Sequence, residues 1–460
     1  MMRTLRHFAK ACGGRLSGAD AAFTEVVSDS RLLAPGQLFI ALRGPHFDGH
    51  DFIAAARAAG AAGALVERAQ PLALPQILVR DTQAALERAA RTWRDAFSGA
   101  LVGVAGSNGK TTAKEMTAAI LGKAGSCLAT RGNLNNHIGV PLTLLRLEPT
   151  HRFAVVEMGA NHSGEVAALV DIARPSVGLI TNAGAEHLEG FGSLEGVARA
   201  EGEMVAGLTP AATAVINADD EFAALWRAAT PAHVVTFGVR GPADFSAREL
   251  QTEVGPAGFR TQFRLNAPAG STTIRLGVGG THNVANALAA AAAAASCGAT
   301  LEQIAAGLAA VRAVPGRLQF KQTSGGAWLI DDSYNANPSS VRAAIEVLAS
   351  LGGRKWLVLG DMAELGAFAD EAHTAIGEFA RAQGIERLYA TGPLMARAVD
   401  SFGAGAQWCA DAAGLTAQLT RALGTAGPEV RVLIKGSRFN RLERVVDALT
   451  GGASSKTGGH

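Results

Sequence analysis

The chain has 460 residues, too many for one ordinary hydrophobic core, so about two to four domains are expected. Hydrophobic side chains at 48% against charged ones at 18% exclude a disordered chain. The 42 Lys and Arg nearly cancel the 40 Asp and Glu, leaving +2, so no polyanion-binding field exists and neither nucleic acid nor an anionic membrane is an expected partner.

The opening segment, "MMRTLRHFAKACGG", lacks the apolar core of a secretory signal. Cys12, Cys127, Cys297 and Cys409 are scattered with no C-x-x-C pair. A cytoplasmic, reducing compartment is expected, without a zinc site or a disulfide framework. Up to about residue 85, short strand-like runs ("QLFIAL", "GALVE", "QILVR") alternate with alanine-rich helical runs. From 86 to 312, apolar runs lead into loops rich in Gly, Asn and Asp: "ALVGVAG", "FAVVEMGAN", "SVGLITNAG", "TAVINADD". Unbroken apolar strands of this kind suit a parallel sheet covered on both faces. The stretch "VANALAAAAAAASCGA" is shorter than the ~20 apolar residues of a membrane span and reads as a close-packed helix. After "VPGR" a third set follows over 313–450: "AWLIDDS", "KWLVLGDM", "RLYATG", "VRVLIKGS". Strand and helix alternate throughout, which means an α/β protein. The small, polar tail 451–460 is expected to be disordered.

Residues 102–116, "VGVAGSNGKTTAKEM", have the outline of a phosphate-binding loop: an apolar strand, a Gly-rich turn, then a helix. The usual spacing G-x-x-x-x-G-K-[ST] would need glycine at position 104, where Val104 stands. A shortened loop starting at Gly106 can still wrap a phosphate. Gly106 and Gly109 permit close backbone approach, the N–H groups of Gly106, Ser107, Asn108 and Gly109 can point at the anion, and the helix start adds its positive end. Lys110 would neutralise phosphate charge, and Thr111 and Thr112 would offer hydroxyls to the nucleotide and its Mg2+. The competing reading is a strand-to-helix turn with a solvated lysine.

Glu157 closes the apolar run "FAVVEMG", which places it at the carboxyl end of a strand, where open α/β sheets bind ligands. Beside Thr111 it is a natural Mg2+ ligand; alone it could equally cap or pair. His187, after the next apolar run in "LITNAGAEHLEGFGS", holds the parallel position on the neighbouring strand. In "GGTHNVANALAA", His282, Asn283 and Asn286 open the alanine-rich helix, either capping it or reading a base edge.

Together these segments resemble the Mur ligase family, the ATP-dependent amide-forming enzymes of peptidoglycan synthesis. "GSNGKTT", "VVEMGANHSGE", "TNAGAEHLEGFGS", "GTHNVANALAA", "PGRLQ" and "DDSYNANPSS" occur in the family's order. "NLNNHIGVPLTLL", "SYNANPSS", "LVLGDMAELG" and the N-terminal "VSDSRLLAPGQLFIALRGPHFDGHDF" are most similar to the branch that adds D-alanyl-D-alanine to UDP-N-acetylmuramoyl-tripeptide. The resemblance implies three domains: an α/β domain over 1–85 that binds the UDP-linked substrate, a central P-loop-type, mostly parallel sheet domain over 86–312 that binds ATP, and a Rossmann-like domain over 313–450.

Carried over residue by residue, the resemblance implies that Lys110 holds the phosphates while Thr111 and Glu157 bind a first Mg2+ and His187 a second. Asn283 and Asn286 would meet adenine, and Arg317 and Asp332 would reach the phosphates and ribose from the third domain. Ser30, Arg31, Asp48, Gly49 and His50 fall in the uridine-nucleotide region. Asn133, Asn135 and Asn136 would lie near the acceptor peptide, and Tyr334, Asn335 and Asn337 near the incoming dipeptide; each asparagine can also serve as a turn residue. Where the family carries a carbamylated lysine this chain has Glu201, which the resemblance makes a candidate for the second metal. The implied chemistry is attack of the tripeptide carboxylate on the γ-phosphate of ATP, then attack of the dipeptide amine on the acyl phosphate, by a monomer. A ligase adding a different residue, a folate polyglutamylating relative and a nucleotide-binding scaffold without catalysis are the alternatives.

Overall fold

In the computed structural model, which describes residues 3–255 and 258–451, the strand-like runs become three large sheets flanked by helices, with a small two-stranded ribbon, Arg43–Gly44 and Phe47–Asp48, beside the first. Of the tail expected to be disordered, Gly451 ends the last helix, Glu443–Thr450, in a left-handed conformation, and 452–460 lie outside the described residues. Cys12, Cys127, Cys297 and Cys409 are free. Among the described residues, no helix is long and apolar enough to cross a membrane.

The first sheet is five-stranded, in the order Arg15–Ser17, Gln76–Leu78, Gly63–Val66, Leu38–Ile40, Val26–Val27. The helix Thr82–Asp95 runs through the expected boundary at 85. Asp81 caps it by accepting from Ala84 N, and it buries Leu86, Ala89, Ala90 and Trp93. It packs on Leu5–Cys12 of the first region and on Gly139–Leu144 and Glu165–Ala173 of the second. Leu5, Phe8 and Trp93 thus share one apolar cluster with Leu101, Val156 and Ile180, and the first two regions are joined by a continuous core.

The central sheet has nine strands. Cys127–Ala129, Phe153–Glu157, Ala100–Ala105, Val177–Ile180, Thr213–Asn217 and His233–Gly238 lie side by side and parallel. Beyond them Phe245–Gly255 pairs parallel to His233–Gly238, and Gly258–Ala267 and Gly270–Leu276 follow antiparallel. With this extension the sheet is mostly parallel, as expected; the antiparallel pair itself was not among the runs read from the sequence. Its outer part alternates buried Phe259, Thr261, Phe263 and Leu265 with exposed Arg260, Gln262 and Arg264, as a sheet with one wet face requires. Ala100–Ala105 sits between a strand later in sequence on each side, so the chain winds away from it in both directions. The crevice at its carboxyl end is a topological switch point.

The alanine-rich segment forms the helix Thr281–Ser296, buried from Asn286 to Ala294. Its small side chains let it lie against the helix Lys110–Ala124 and the sheet at once. The third sheet runs Gln319–Gln322, Trp328–Asp332, Val430–Lys435, Arg354–Gly360, Arg387–Thr391, Ala406–Cys409, parallel except for the first pair.

Phe259, on the antiparallel extension of the central sheet, is 5% exposed and belongs to the third domain's core beside Leu318 and Ile330. Truncating so buried a ring costs about 3–5 kcal/mol. Phe259→Ala should lower the urea midpoint. Hydrogen exchange should rise first in Gln319–Gln322 and Trp328–Asp332, before the central strands.

Candidate active site

Val104, where the usual loop spacing asks for glycine, is a fully buried strand residue paired with Glu157 on one side and Leu179 on the other. The loop starts two residues later. Gly106 has φ +120° and Gly109 φ +84°. A Cβ at Gly106 would stand 2.1 Å from Thr181 Oγ1, and one at Gly109 would stand 2.2 Å from Asn286 Oδ1. No side chain fits at either position. The short loop is therefore seated against the end of Val177–Ile180 and the start of the alanine helix. Ser107 Oγ accepts from Gly184 N at 2.8 Å, and Asn108 N donates to Asn182 Oδ1 at 3.0 Å.

Lys110 opens the helix Lys110–Ala124. Its ammonium donates to the carbonyls of Gly106 and Ser107 and pairs with Glu186 Oε1 at 3.2 Å. Burial works against the charge, but Glu186, Glu201 and Glu157 outweigh it and hold the lysine above its ordinary pKa. Thr111 Oγ1 donates to Glu157 Oε1 at 3.2 Å, and Arg317 Nη2 donates to Thr111 Oγ1 at 3.1 Å. Glu157 is 2% exposed, and among the described residues its Oε2 has no hydrogen-bond partner, nor has Arg317 Nε. A buried carboxylate oxygen without a donor is costly unless a cation or ligand meets it.

A cavity of about 360 Å3 adjoins this loop. Asn108, Gly109, Thr112, Asn283, Asn286, Arg317 and Asp332 stand in its wall. The amides do not cap the alanine helix, which has no side-chain cap: Asn283 Nδ2 donates to Gly279 O at 2.7 Å, and Asn286 Nδ2 to Asn283 Oδ1 at 3.3 Å. His282, also in the wall, is pushed down to about 4, chiefly by burial, and adds no charge there at neutral pH. Asp332 accepts from Leu318 N at 3.1 Å and pairs with Lys435 at 2.7 Å.

Third-domain side chains close on the loop directly. Asn337 Nδ2 donates to Asn108 Oδ1 at 2.9 Å, Asn108 Nδ2 donates to Ser339 Oγ at 3.0 Å, and Asn337 Oδ1 caps the helix Pro338–Ala349. Asn337, expected near the dipeptide, is thus held on the phosphate loop. Tyr334 lies under Arg317, 4.4 Å from the guanidinium carbon to the ring centre, with Arg438 at 5.9 Å. Asn335 is exposed, and its carbonyl accepts from Lys435 Nζ at 2.8 Å.

The expected second metal pair is not brought together. His187, left-handed at φ 49°, turns its ring to Glu364 of the third domain. Glu201, 2% exposed, instead accepts from Gly106 N at 2.6 Å. The two share no partner, and among the described residues no group of three or more His, Cys, Asp or Glu could hold a metal. The reason is local: Glu201's short stem ends at the loop amide that needs an acceptor.

Asn135 Nδ2 donates to Glu157 Oε1 at 2.9 Å, so it orients the carboxylate. Asn136 Oδ1 accepts from Ile138 N and Gly139 N as a turn residue, and Asn133 is exposed with its carbonyl accepting from Asn135 N at 2.7 Å. In the first region, His50 is buried, its Nδ1 2.6 Å from Asp48 and its Nε2 accepting from Glu67 N at 2.9 Å. Nδ1 therefore carries the proton, and both ring nitrogens are used internally. Asp48 also meets Arg68 at 3.1 Å. A Cβ at Gly49 would stand 2.5 Å from Leu42 O. Ser30 is half-buried, and exposed Arg31 pairs with Asp29 at 2.6 Å. Asp48, Gly49 and His50 thus build a turn, while Arg31 faces solvent. Glu186 and Lys435 were missed by sequence reasoning. Lys435 ends the apolar strand Val430–Lys435 as Glu157 ends Phe153–Glu157, and that same signal would have found it.

Three sequence families match the chain: "Mur ligase family, catalytic domain" over 22–94, "Mur ligase middle domain" over 104–294, and "Mur ligase, glutamate ligase domain" over 316–438. The chain is 45% identical over 448 residues to the UDP-N-acetylmuramoyl-tripeptide--D-alanyl-D-alanine ligase of Escherichia coli (strain K12), covering 97% of this chain and 98% of that one. With the Bacillus subtilis (strain 168) ligase of the same name it shares 37% over 401 residues, covering 85% and 86%. Among solved structures, MurF from Acinetobacter baumannii superposes with a TM-score of 0.90 at 35% identity, covering 98% and 99%. MurF from Thermotoga maritima, in complex with ADP, gives 0.80 at 29%, covering 93% and 97%. With matches over nearly its whole length, and a loop, strand-end carboxylate and third-domain arginine that meet around one helix start, the chain belongs to the Mur ligase family.

Proposed function

We propose that the chain joins D-alanyl-D-alanine to UDP-N-acetylmuramoyl-tripeptide at the expense of ATP, releasing ADP and phosphate. The observation that carries the reading is the chain of contacts from Arg317 through Thr111 to Glu157, which ends in a carboxylate oxygen with no partner among the described residues. The E. coli ligase, matched over 97% of this chain, supports the choice of substrates.

A free carboxylate does not form an amide readily, because its oxygen leaves poorly. In the proposed reaction the tripeptide's terminal carboxylate attacks the γ-phosphorus of ATP, and ADP departs. The dipeptide amine then adds to the acyl carbon, and phosphate is expelled. The chain's contribution is positioning and charge neutralisation. Lys110 supplies a half-buried ammonium at the loop, Arg317 a guanidinium from the other domain, and the loop N–H groups a cradle. The cavity wall of Asn283, Asn286 and neutral His282 suits an uncharged base, while Asp332 stands for the ribose.

The donor set fits one Mg2+: Glu157 Oε2 and the Thr111 hydroxyl are hard oxygen ligands, and the carboxylate oxygen is unclaimed. When bound, Mg2+ lowers the repulsion between the two reacting anions. Asn135 holds Glu157 in orientation for it. Glu201 is a support of the loop amide. Its carboxyl is raised from 4.5 to about 7, first by burial, with Lys110 and the Gly106 N–H opposing and Glu186 and Glu203 adding to the rise.

The direct test is mass-spectrometric detection of the UDP-muramoyl-pentapeptide from defined tripeptide, D-alanyl-D-alanine and ATP. Product is expected with the dipeptide and none with lysine, glutamate or diaminopimelate as amine; an amine-independent phosphate release would sink the reading. Lys110→Ala should cut ADP formation by about a hundredfold to a thousandfold, the usual loss for one preorganised charge-stabilising group, with an unchanged circular dichroism spectrum. Because Glu201 keeps its proton in the folded chain where the unfolded chain has lost it, the stability it contributes is full below pH 4.5 and lost as pH rises through about 7. Glu201→Gln should therefore raise Tm at pH 8 by about 3 °C, and the gain should vanish at pH 4. A Tm difference independent of pH would contradict this.

A further inference from the structure

Glu186 has no role in the reading above, yet its carboxylate spans two domains. It lies in the loop after Val177–Ile180, directly before His187, with its side chain 12% exposed. Oε1 is 3.2 Å from Lys110 Nζ, and Oε2 accepts from Asn337 Nδ2 at 3.4 Å. The same Asn337 amide donates to Asn108 Oδ1 on the phosphate loop. Among the described residues, Lys110 forms its ion pair with Glu186; its other bonds go to the neutral carbonyls of Gly106 and Ser107. Glu186 is therefore the anion at the point where a phosphate would have to be met.

A phosphate brought to this ammonium would meet the repulsion of the carboxylate already paired with it, in a setting with little water to screen the two charges. Nucleotide entry therefore competes with Glu186 for Lys110. The displaced carboxylate is the one that Asn337 holds, so its movement disturbs the third domain's contact with the loop. We propose that Glu186 is a positioning residue of the nucleotide site: it occupies Lys110 and Asn337 together in the free protein, and exchange of Lys110 from Glu186 to the triphosphate ties nucleotide entry to the third domain's hold on the loop. The carboxylate keeps the lysine folded inward and ion-paired until the nucleotide arrives. This rests on the ATP-site reading of the loop, and the test separates the two.

The affinity of the full chain for a non-hydrolysable ATP analogue with Mg2+ is measured by calorimetry. Glu186→Gln keeps the shape and loses the charge, and should bind the analogue about threefold to tenfold more tightly, the scale of one partly buried ion pair. Glu186→Asp keeps the competing charge and should stay within about twofold of wild type. Asn337→Ala should give a smaller gain, and should add nothing further in the Glu186→Gln background. A merely structural role would weaken binding in every variant. Unchanged or weaker binding by Glu186→Gln, or fully additive gains, would overturn the proposal. Failure of the wild-type chain to bind the analogue would overturn the nucleotide-site reading itself.

Discussion

One half-buried ammonium organises this molecule. Lys110, its side chain 17% exposed, is largely withdrawn from water into a loop in which carbonyl oxygens and carboxylates replace much of its hydration, and this desolvation works against its charge. Glu157, Glu186 and Glu201 approach it from separate elements: a strand end, a loop and a helix. The loop keeps its shape because Glu201 accepts the Gly106 amide from behind and the glycines fit against Thr181 and Asn286, where no Cβ has room. With the lysine so held, the carboxylate of Glu157 lies beside the first turn of the helix with one oxygen unmet.

The site is completed across domains. Arg317 reaches Thr111, Asn337 and Ser339 reach Asn108, and Glu364 reaches His187. None of these contacts is large. Each is a single polar contact, part-buried or exposed, and one such hydrogen bond contributes only about 0.5–1.5 kcal/mol. The apolar anchor is elsewhere, at Phe259, where the antiparallel edge of the central sheet enters the third domain's core. A greasy attachment at one point and exchangeable polar contacts at the site form a combination that lets the third domain stay joined while its hold on the loop changes. The first two regions have no such freedom, because Trp93 and its neighbours weld them through one core.

Four of the central parallel strands were legible because each is an apolar run leading into Gly, Asn or an acid, and the loop was legible because Gly106, Gly109, Lys110 and Thr111 lie within six positions of one another. Glu157 could be placed at a strand end by counting. The antiparallel extension was not read. Its strands carry charged residues on the exposed face and lack the apolar runs that marked the others. The asparagines were the least legible: Asn135 orients Glu157, Asn136 makes a turn and Asn337 caps a helix while touching the loop, and one side-chain chemistry serves all three.

By itself, then, the sequence determined the α/β alternation, the short loop that needs no glycine at 104, and the residue types able to meet a triphosphate, since these depend on neighbours a few positions apart. Only the tertiary structure decided that Glu201 faces a backbone amide and not His187, that Glu186 is the counter-ion of Lys110, and that Asn337 belongs to the loop. Those are contacts between residues tens to hundreds of positions apart. Their partners follow from side-chain length and from where the sheets and helices end, which no local pattern records.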